Sequence, residues 1–233
     1  MIHPNLKPIL NIILVETALE KIPKSLEKKP SALKSIKRFG NAGKILDTTF
    51  HHSIMHNLEH FQKRGRPDIL HHFLLDTLGS PANLSNHLKI YFHCQSGFYE
   101  VNSEMNCPRD YIRFKGLMWQ LIKEKHIPPK KPPYFISKMD MNLNEWLEKN
   151  FMEKNTFLFT VNGENKPLKI IKSRFFIESN ECAVLIGGFQ KGHFSDNILK
   201  IPSQKYSISD RGYDSWIIVN RIIVSFEELL SLI

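Results

Sequence analysis

The chain has 233 residues, 42% of them hydrophobic and 11% aromatic, which allows a sizeable core and excludes a disordered tail. A formal charge of +9 points to a polyanionic partner, with nucleic acid favoured over an anionic membrane. The three cysteines (Cys94, Cys107, Cys182) form no disulfide framework or zinc motif, and the eleven histidines fall in no metal-binding spacing, so no metal is expected.

In chain order, the apolar run Ile9–Val15 predicts a buried strand. Lys21–Lys44, rich in lysine with Pro23, Pro30, Gly40 and Gly43, reads as exposed helix and loop. Asp47–Gln62 has helical character, and Ile69–Leu78 a helix stopped by Gly79-Ser80-Pro81. Leu88–His93 and Phe98–Val101 make a hairpin. Arg109–Glu124 predicts an amphipathic helix burying Phe114, Leu117, Met118, Leu121 and Ile122, with Arg109 and Arg113 on one face a turn apart. Ile127–Tyr134, with four prolines, reads as a linker. Thr156–Val161, Cys182–Ile186 and Lys205–Ile208 are strand-like, and Ile217–Leu230 a terminal helix. Strands separated by crossovers, in near-continuous apolar runs, predict a mainly parallel α/β sheet. Ile9–Val15 and Ile217–Phe226 are too short or interrupted to span a bilayer, and no signal peptide is evident, so a soluble intracellular protein is expected.

Two segments carry chemistry. In Lys63-Arg64-Gly65-Arg66-Pro67-Asp68-Ile69, Pro67 pushes Arg66 toward an extended conformation, and Asp68 can hold its guanidinium in one pose. A pre-aimed arginine suits a phosphate or a base edge. In Cys182–Phe194, a strand breaks into Gly187-Gly188 and reaches Gly192, which fits either a tight turn or a loop whose amides approach a ligand. It matches no dinucleotide or P-loop fingerprint. Ser207-Ile208-Ser209-Asp210 closes a second strand, and two such strand ends could hold an adenosine. No nucleophile motif or carboxylate dyad is present, so any catalysis would work by positioning.

In combination, IILVETALEKIP (12–23), ILDTTFHH (45–52), KRGRPDI (63–69), LGSP (78–81), EVN (100–102), PRDYIRFKGLM (108–118), IGGFQKGHF (186–194) and YSIS (206–209) resemble the ribosome-biogenesis pseudouridine N1-methyltransferases. These are the nucleolar essential proteins of eukaryotes and their archaeal counterparts. The resemblance runs from about Ile12 to Phe226.

It implies a SPOUT α/β fold, a mainly parallel sheet flanked by helices with a C-terminal deep trefoil knot. One domain would cover residues 1–233, with a basic insertion around 21–68 and a knotted cofactor region at about 156–230. The implied activity is S-adenosyl-L-methionine-dependent methylation of N1 of one pseudouridine in a small-subunit ribosomal RNA hairpin. The alternative is an RNA-binding ribosome-assembly factor with methylation secondary or lost; a transfer-RNA substrate is disfavoured by the Arg66-Pro67-Asp68 element. By the same resemblance, Arg66 and Asp68 are the catalytic pair. Thr160, Gly187, Gly192, Ile208, Ser209, Asp210, Arg211, Gly212 and Tyr213 would bind cofactor, and Arg66, Asn106, Arg109 and Arg113 would face RNA. Asn106 stands where a third arginine is usual, its contact either weakened or replaced by Lys115 or Lys123, and Gln190-Lys191 replaces a common Pro-His pair. A homodimer is implied, with small-subunit ribosomal proteins as further candidate partners. The cytoplasm of an archaeal-type cell is the expected location, or the nucleolus of a eukaryotic one.

Overall fold

The computed structural model of the chain describes residues 7–175 and 179–233, so residues 176–178 of the expected knotted region lie outside it. In chain order the elements are β1 (Ile9–Thr17), α1 (Pro30–Phe39), α2 (Thr48–Met55), α3 (Pro67–Gly79) and α4 (Pro81–Leu84). Then come β2 (Leu88–Cys94), β3 (Gly97–Val101), α5 (Tyr111–Glu124), β4 (His126–Ile127), β5 (Ile136–Lys138) and α6 (Leu143–Asn150). The C-terminal part holds β6 (Thr156–Asn165), α7 (Leu168–Lys172), β7 (Glu181–Gly187), α8 (Asp196–Leu199), β8 (Gln204–Ser207) and α9 (Ser215–Leu229).

All the strands join one eight-stranded sheet in the order β4-β5-β3-β2-β1-β7-β6-β8. Five of them (β2, β1, β7, β6, β8) run parallel, and the hairpin β2–β3 begins an antiparallel edge continued by β5 and β4. The mainly parallel α/β sheet expected from the apolar runs is present. β1 lies at its centre because both of its faces are apolar. Leu10, Ile12 and Leu14 pack with Phe73, Phe114 and Phe226 on one side, while Ile13 and Val15 pack with Leu158, Leu185 and Trp146 on the other. A smaller cluster of Ile22, Leu26, Ala32, Leu46 and Met55 lies beneath the lysine-rich segment.

Three expectations change. The helix expected over 47–62 stops at Met55, and the chain turns through left-handed His60 (φ 51°) into a 3₁₀ turn at Phe61–Lys63. The proline-rich linker is tied at its ends, where Ile127 pairs with Ile136 across β4 and β5. The third change is at α5, which starts at Tyr111 because the Asp110 carboxylate caps it, accepting from the Arg113 amide at 2.8 Å. Arg109 therefore precedes the helix and does not share a helical face with Arg113.

α5 is joined to α2 through a buried charge. Asp47 caps α2 by accepting from the Thr49 amide (3.0 Å), and its other oxygen accepts from Lys115 Nζ (2.7 Å) and the Tyr111 hydroxyl (2.8 Å). The side chains of Lys115 and Asp47 are 0% and 3% exposed, so Lys115 is a structural cation and cannot replace an RNA-facing arginine at position 106. Burial drives the Asp47 carboxyl upward, but Lys115, Tyr111 and the Thr49 amide together hold it below the ordinary range. His51 receives the Asp47 amide on Nδ1 at 3.0 Å. Burial first, and the Lys115 charge second, lower the His51 imidazole to about 4.

A base whose folded pKa lies below its unfolded value stabilises the fold above the unfolded value, and that stability drains as pH falls toward the folded one. The window for His51 therefore runs from about 6.5 down to about 4. Denaturant unfolding should lose about 2 kcal/mol between pH 7 and pH 5. In His51→Asn, which keeps an acceptor near the Nδ1 position, less than half of that loss should remain; an unchanged loss would contradict the assignment.

Candidate functional site

The segment 63–68 is held by three ion pairs. Lys63 Nζ meets Glu16 at 2.6 Å, Arg64 forks onto both oxygens of Glu20, and Arg66 forks onto both oxygens of Asp68. Glu16 and Glu20 come from the end of β1 and the residues after it, so two of the three cations point back into the fold. The backbone is fixed as well. Gly65 sits at φ 66°, where a Cβ would stand 2.8 Å from the Met55 methyl, and its carbonyl accepts from the Thr48 amide and hydroxyl, both at 2.8 Å. The Arg66 amide donates to the Ala18 carbonyl, and Pro67 opens α3 at its first position. Asp68 drives the Arg66 guanidinium above its usual value, with burial opposing, so Arg66 stays charged.

That guanidinium lines a cleft of about 660 Å³ with Asp68, Arg109, Tyr111, His71 and His72. The Tyr111 hydroxyl is held by Asp47, and His71 stacks on Phe114 (4.4 Å) with its Nε2 bonded to the Pro108 carbonyl at 2.6 Å. Two cations and a ring-bearing wall suit a phosphate and a base together. Arg113 and Asn106 are exposed and do not line this cleft.

A second cleft of about 580 Å³ opens between the middle of β6 and the C-terminal ends of β7 and β8. In open parallel sheets that edge is where ligands bind. Of the nine residues proposed for cofactor, eight line it; Asp210 does not, its carboxylate accepting from the Asn165 side-chain Nδ2 instead. The walls are apolar at Ile186, Ile208 and Ile218, and strand-end backbone supplies polar groups. The adjacent glycines have different tasks. Gly188 is a packing glycine: its amide donates to Val15 O at 2.7 Å, and a Cβ there would stand 2.7 Å from the Thr17 backbone. Gly187 borders the cleft, its carbonyl accepting from the Ser215 hydroxyl. Gly192 adopts φ 116°, which side-chain-bearing residues rarely reach, and a Cβ would stand 3.1 Å from the Lys63 stem.

Gln190 lines both clefts, making them neighbours across one side chain. No local pattern in the sequence marks Gln190, His71 or Tyr111 as site residues. The cysteines are buried, and burial raises their thiols, Cys107 to about 12, so none supplies a thiolate. Among the described residues no cluster of three or more metal-ligating side chains occurs.

A family model described as EMG1/NEP1 methyltransferase matches residues 12–227. The chain is similar to proteins named "Ribosomal RNA small subunit methyltransferase Nep1". It is 38% identical to that of Staphylothermus marinus, over 98% of this chain and 100% of the relative. It is 32% identical to that of Aeropyrum pernix, over 95% and 99%. Among solved structures it is similar to Archaeoglobus fulgidus Nep1 bound to S-adenosylhomocysteine, with a TM-score of 0.80, 28% identity, and 95% of this chain and 98% of that one covered. Two clefts that adjoin at Gln190, and a match over nearly the whole chain, lead to one assignment: the chain belongs to the EMG1/NEP1 methyltransferase family.

Proposed function

We propose that this protein is an S-adenosylmethionine-dependent methyltransferase of small-subunit ribosomal RNA, acting on N1 of a pseudouridine during small-subunit biogenesis. The observation that carries the reading is the contact of the two clefts at Gln190. One cleft has the apolar walls and strand-end backbone an adenosine needs, and the other presents charged arginines. S-adenosylhomocysteine in the Archaeoglobus fulgidus relative supports the first assignment. The residues here fit the group: Gly192 leaves a cradle that a Cβ would close against Lys63, and Gly187 leaves the strand end open.

When bound, S-adenosylmethionine supplies an activated methyl group on its sulfonium, so the chain has to align and need not activate. Arg66, aimed by Asp68, and Arg109 would hold the phosphate and the edge of an unstacked base. The Arg66 charge favours negative charge developing on the ring as N1 releases its proton to water. Tyr111 and His71 wall the base, and Gln190 stands where the two ligands meet. Arg113 and Asn106, exposed beyond the cleft, would meet RNA further along its backbone.

We further propose the trefoil knot over about 156–230. The return of the chain after β8 to the end of β7, where the Ser215 hydroxyl donates to the Gly187 carbonyl, supports it. A homodimer would use the α9 face carrying Ile217 and Val224, which are 37% and 43% exposed. No helix among the described residues is long and apolar enough to cross a membrane, and we propose a cytoplasmic site of action.

Replacing Arg66 with alanine should weaken binding of a small-subunit hairpin about tenfold or more while leaving S-adenosylhomocysteine binding within about twofold. Equal RNA affinity would remove Arg66 from the RNA site. Gly192→Val should do the reverse in calorimetric titration, losing cofactor binding with RNA binding retained; undiminished cofactor affinity would move the cofactor elsewhere.

A further inference from the structure

Lys63 lines neither cleft, yet it touches the wall of one from the segment that builds the other. Its ammonium donates to Glu16 at 2.6 Å and to the His193 carbonyl at 2.8 Å, and lies 4.3 Å from the centre of the Phe189 ring. Its stem closes the space beside Gly192. Phe189, Gly192 and His193 all line the cofactor cleft. Glu16 completes the arrangement: its second oxygen accepts from the Ser195 amide at 3.0 Å, so the loop is gripped at both ends. Glu16 sits at φ 51°, an unfavourable backbone for a side-chain-bearing residue, and its amide donates to His93 Nδ1 at 3.4 Å. Lys63 and Glu16 are 21% and 14% exposed, so their attraction is only partly screened by water.

Three residues after Lys63, Arg66 enters the RNA cleft, and between them Gly65 and Arg66 are tied to Thr48 and Ala18. Lys63 and Arg66 thus stand at the two ends of one short, hydrogen-bonded stretch. We infer that Lys63, with Glu16, is a positioning residue that sets the 189–195 loop and so couples cofactor binding to RNA binding. This inference rests on the methyltransferase reading above. Neither residue touches a reacting atom; their effect passes through the loop they hold. Coupling of this kind is reciprocal: each ligand strengthens the other by the same factor.

The test is a pair of titrations, S-adenosylhomocysteine and a pseudouridine-containing hairpin, each with and without the other, on the full chain and on Lys63→Met, Lys63→Arg and Glu16→Gln. In the unaltered protein each ligand should tighten the other several-fold. Lys63→Met should lose about tenfold in cofactor affinity, the scale of a charge-assisted hydrogen bond. Its RNA affinity without cofactor should stay within about twofold, and the coupling factor should fall to about one. In turnover, KM for the cofactor should rise with kcat at saturation nearly unchanged. Lys63→Arg should restore coupling in part, and Glu16→Gln should follow Lys63→Met, which separates removal of the charge pair from general misfolding. Cofactor affinity and coupling in Lys63→Met equal to the unaltered protein would overturn the inference alone. An unaltered protein that binds the hairpin but no cofactor would overturn the methyltransferase reading itself.

Discussion

The site depends on how the end of β1 holds residues 63–68. Glu16 lies at the end of a strand buried on both faces and Glu20 just beyond it, so their backbone positions are set by the core of the sheet. Burial works against the charge on Glu16, yet the Lys63 ammonium and the Ser195 contacts keep its carboxyl below the usual range. Pairs this far from bulk water contribute more to fixing geometry than to net stability, since desolvation offsets much of their attraction. What they secure is a direction. With Lys63 and Arg64 committed inward, Arg66 is carried on a backbone tied to Ala18 and leads into α3 through Pro67.

The rest of the architecture brings the strand ends to the same place. The parallel order β1-β7-β6-β8 brings the middle of β6 and the loops after β7 and β8 together, where they form the second cleft. The loop after β7 passes the end of β1, because Gly188 packs directly on Thr17. The cleft at Arg66 and Arg109 is assembled from α2, α3 and the start of α5, joined by the Asp47–Lys115–Tyr111 cluster. The two clefts thus belong to different parts of the chain, and Gln190 and Lys63 are where those parts meet.

Legibility in the sequence follows the range of the forces. The parallel strands are readable because both faces of β1 and β7 are apolar, and the hairpin β2–β3 because its turn is local. The Arg66–Asp68 pair is visible at a spacing of two residues, and the structure shows it. Lys63–Glu16 and Arg64–Glu20 are not, because their partners lie more than forty residues away, at separations of 47 and 44. The sequence therefore singles out Arg66 but does not show that Lys63 and Arg64 are committed to Glu16 and Glu20. Arg109 falls on a helix in the sequence pattern because apolar periodicity cannot show where the first turn begins; the Asp110 cap decides that. Gly187 and Gly188 look equivalent, and only the distance to Thr17 separates a packing glycine from a cleft glycine.

The central claim is methyl transfer to N1 of a pseudouridine, and the most direct measurement is of the product. Two hairpins of identical sequence, one with pseudouridine and one with uridine at the target, would be incubated with the protein and S-adenosylmethionine, then digested to nucleosides for mass spectrometry. The account predicts N1-methylpseudouridine from the first and no methylated product from the second, whose N1 is blocked by the sugar. Methylation of both hairpins, or of neither while cofactor and RNA both bind, would contradict it.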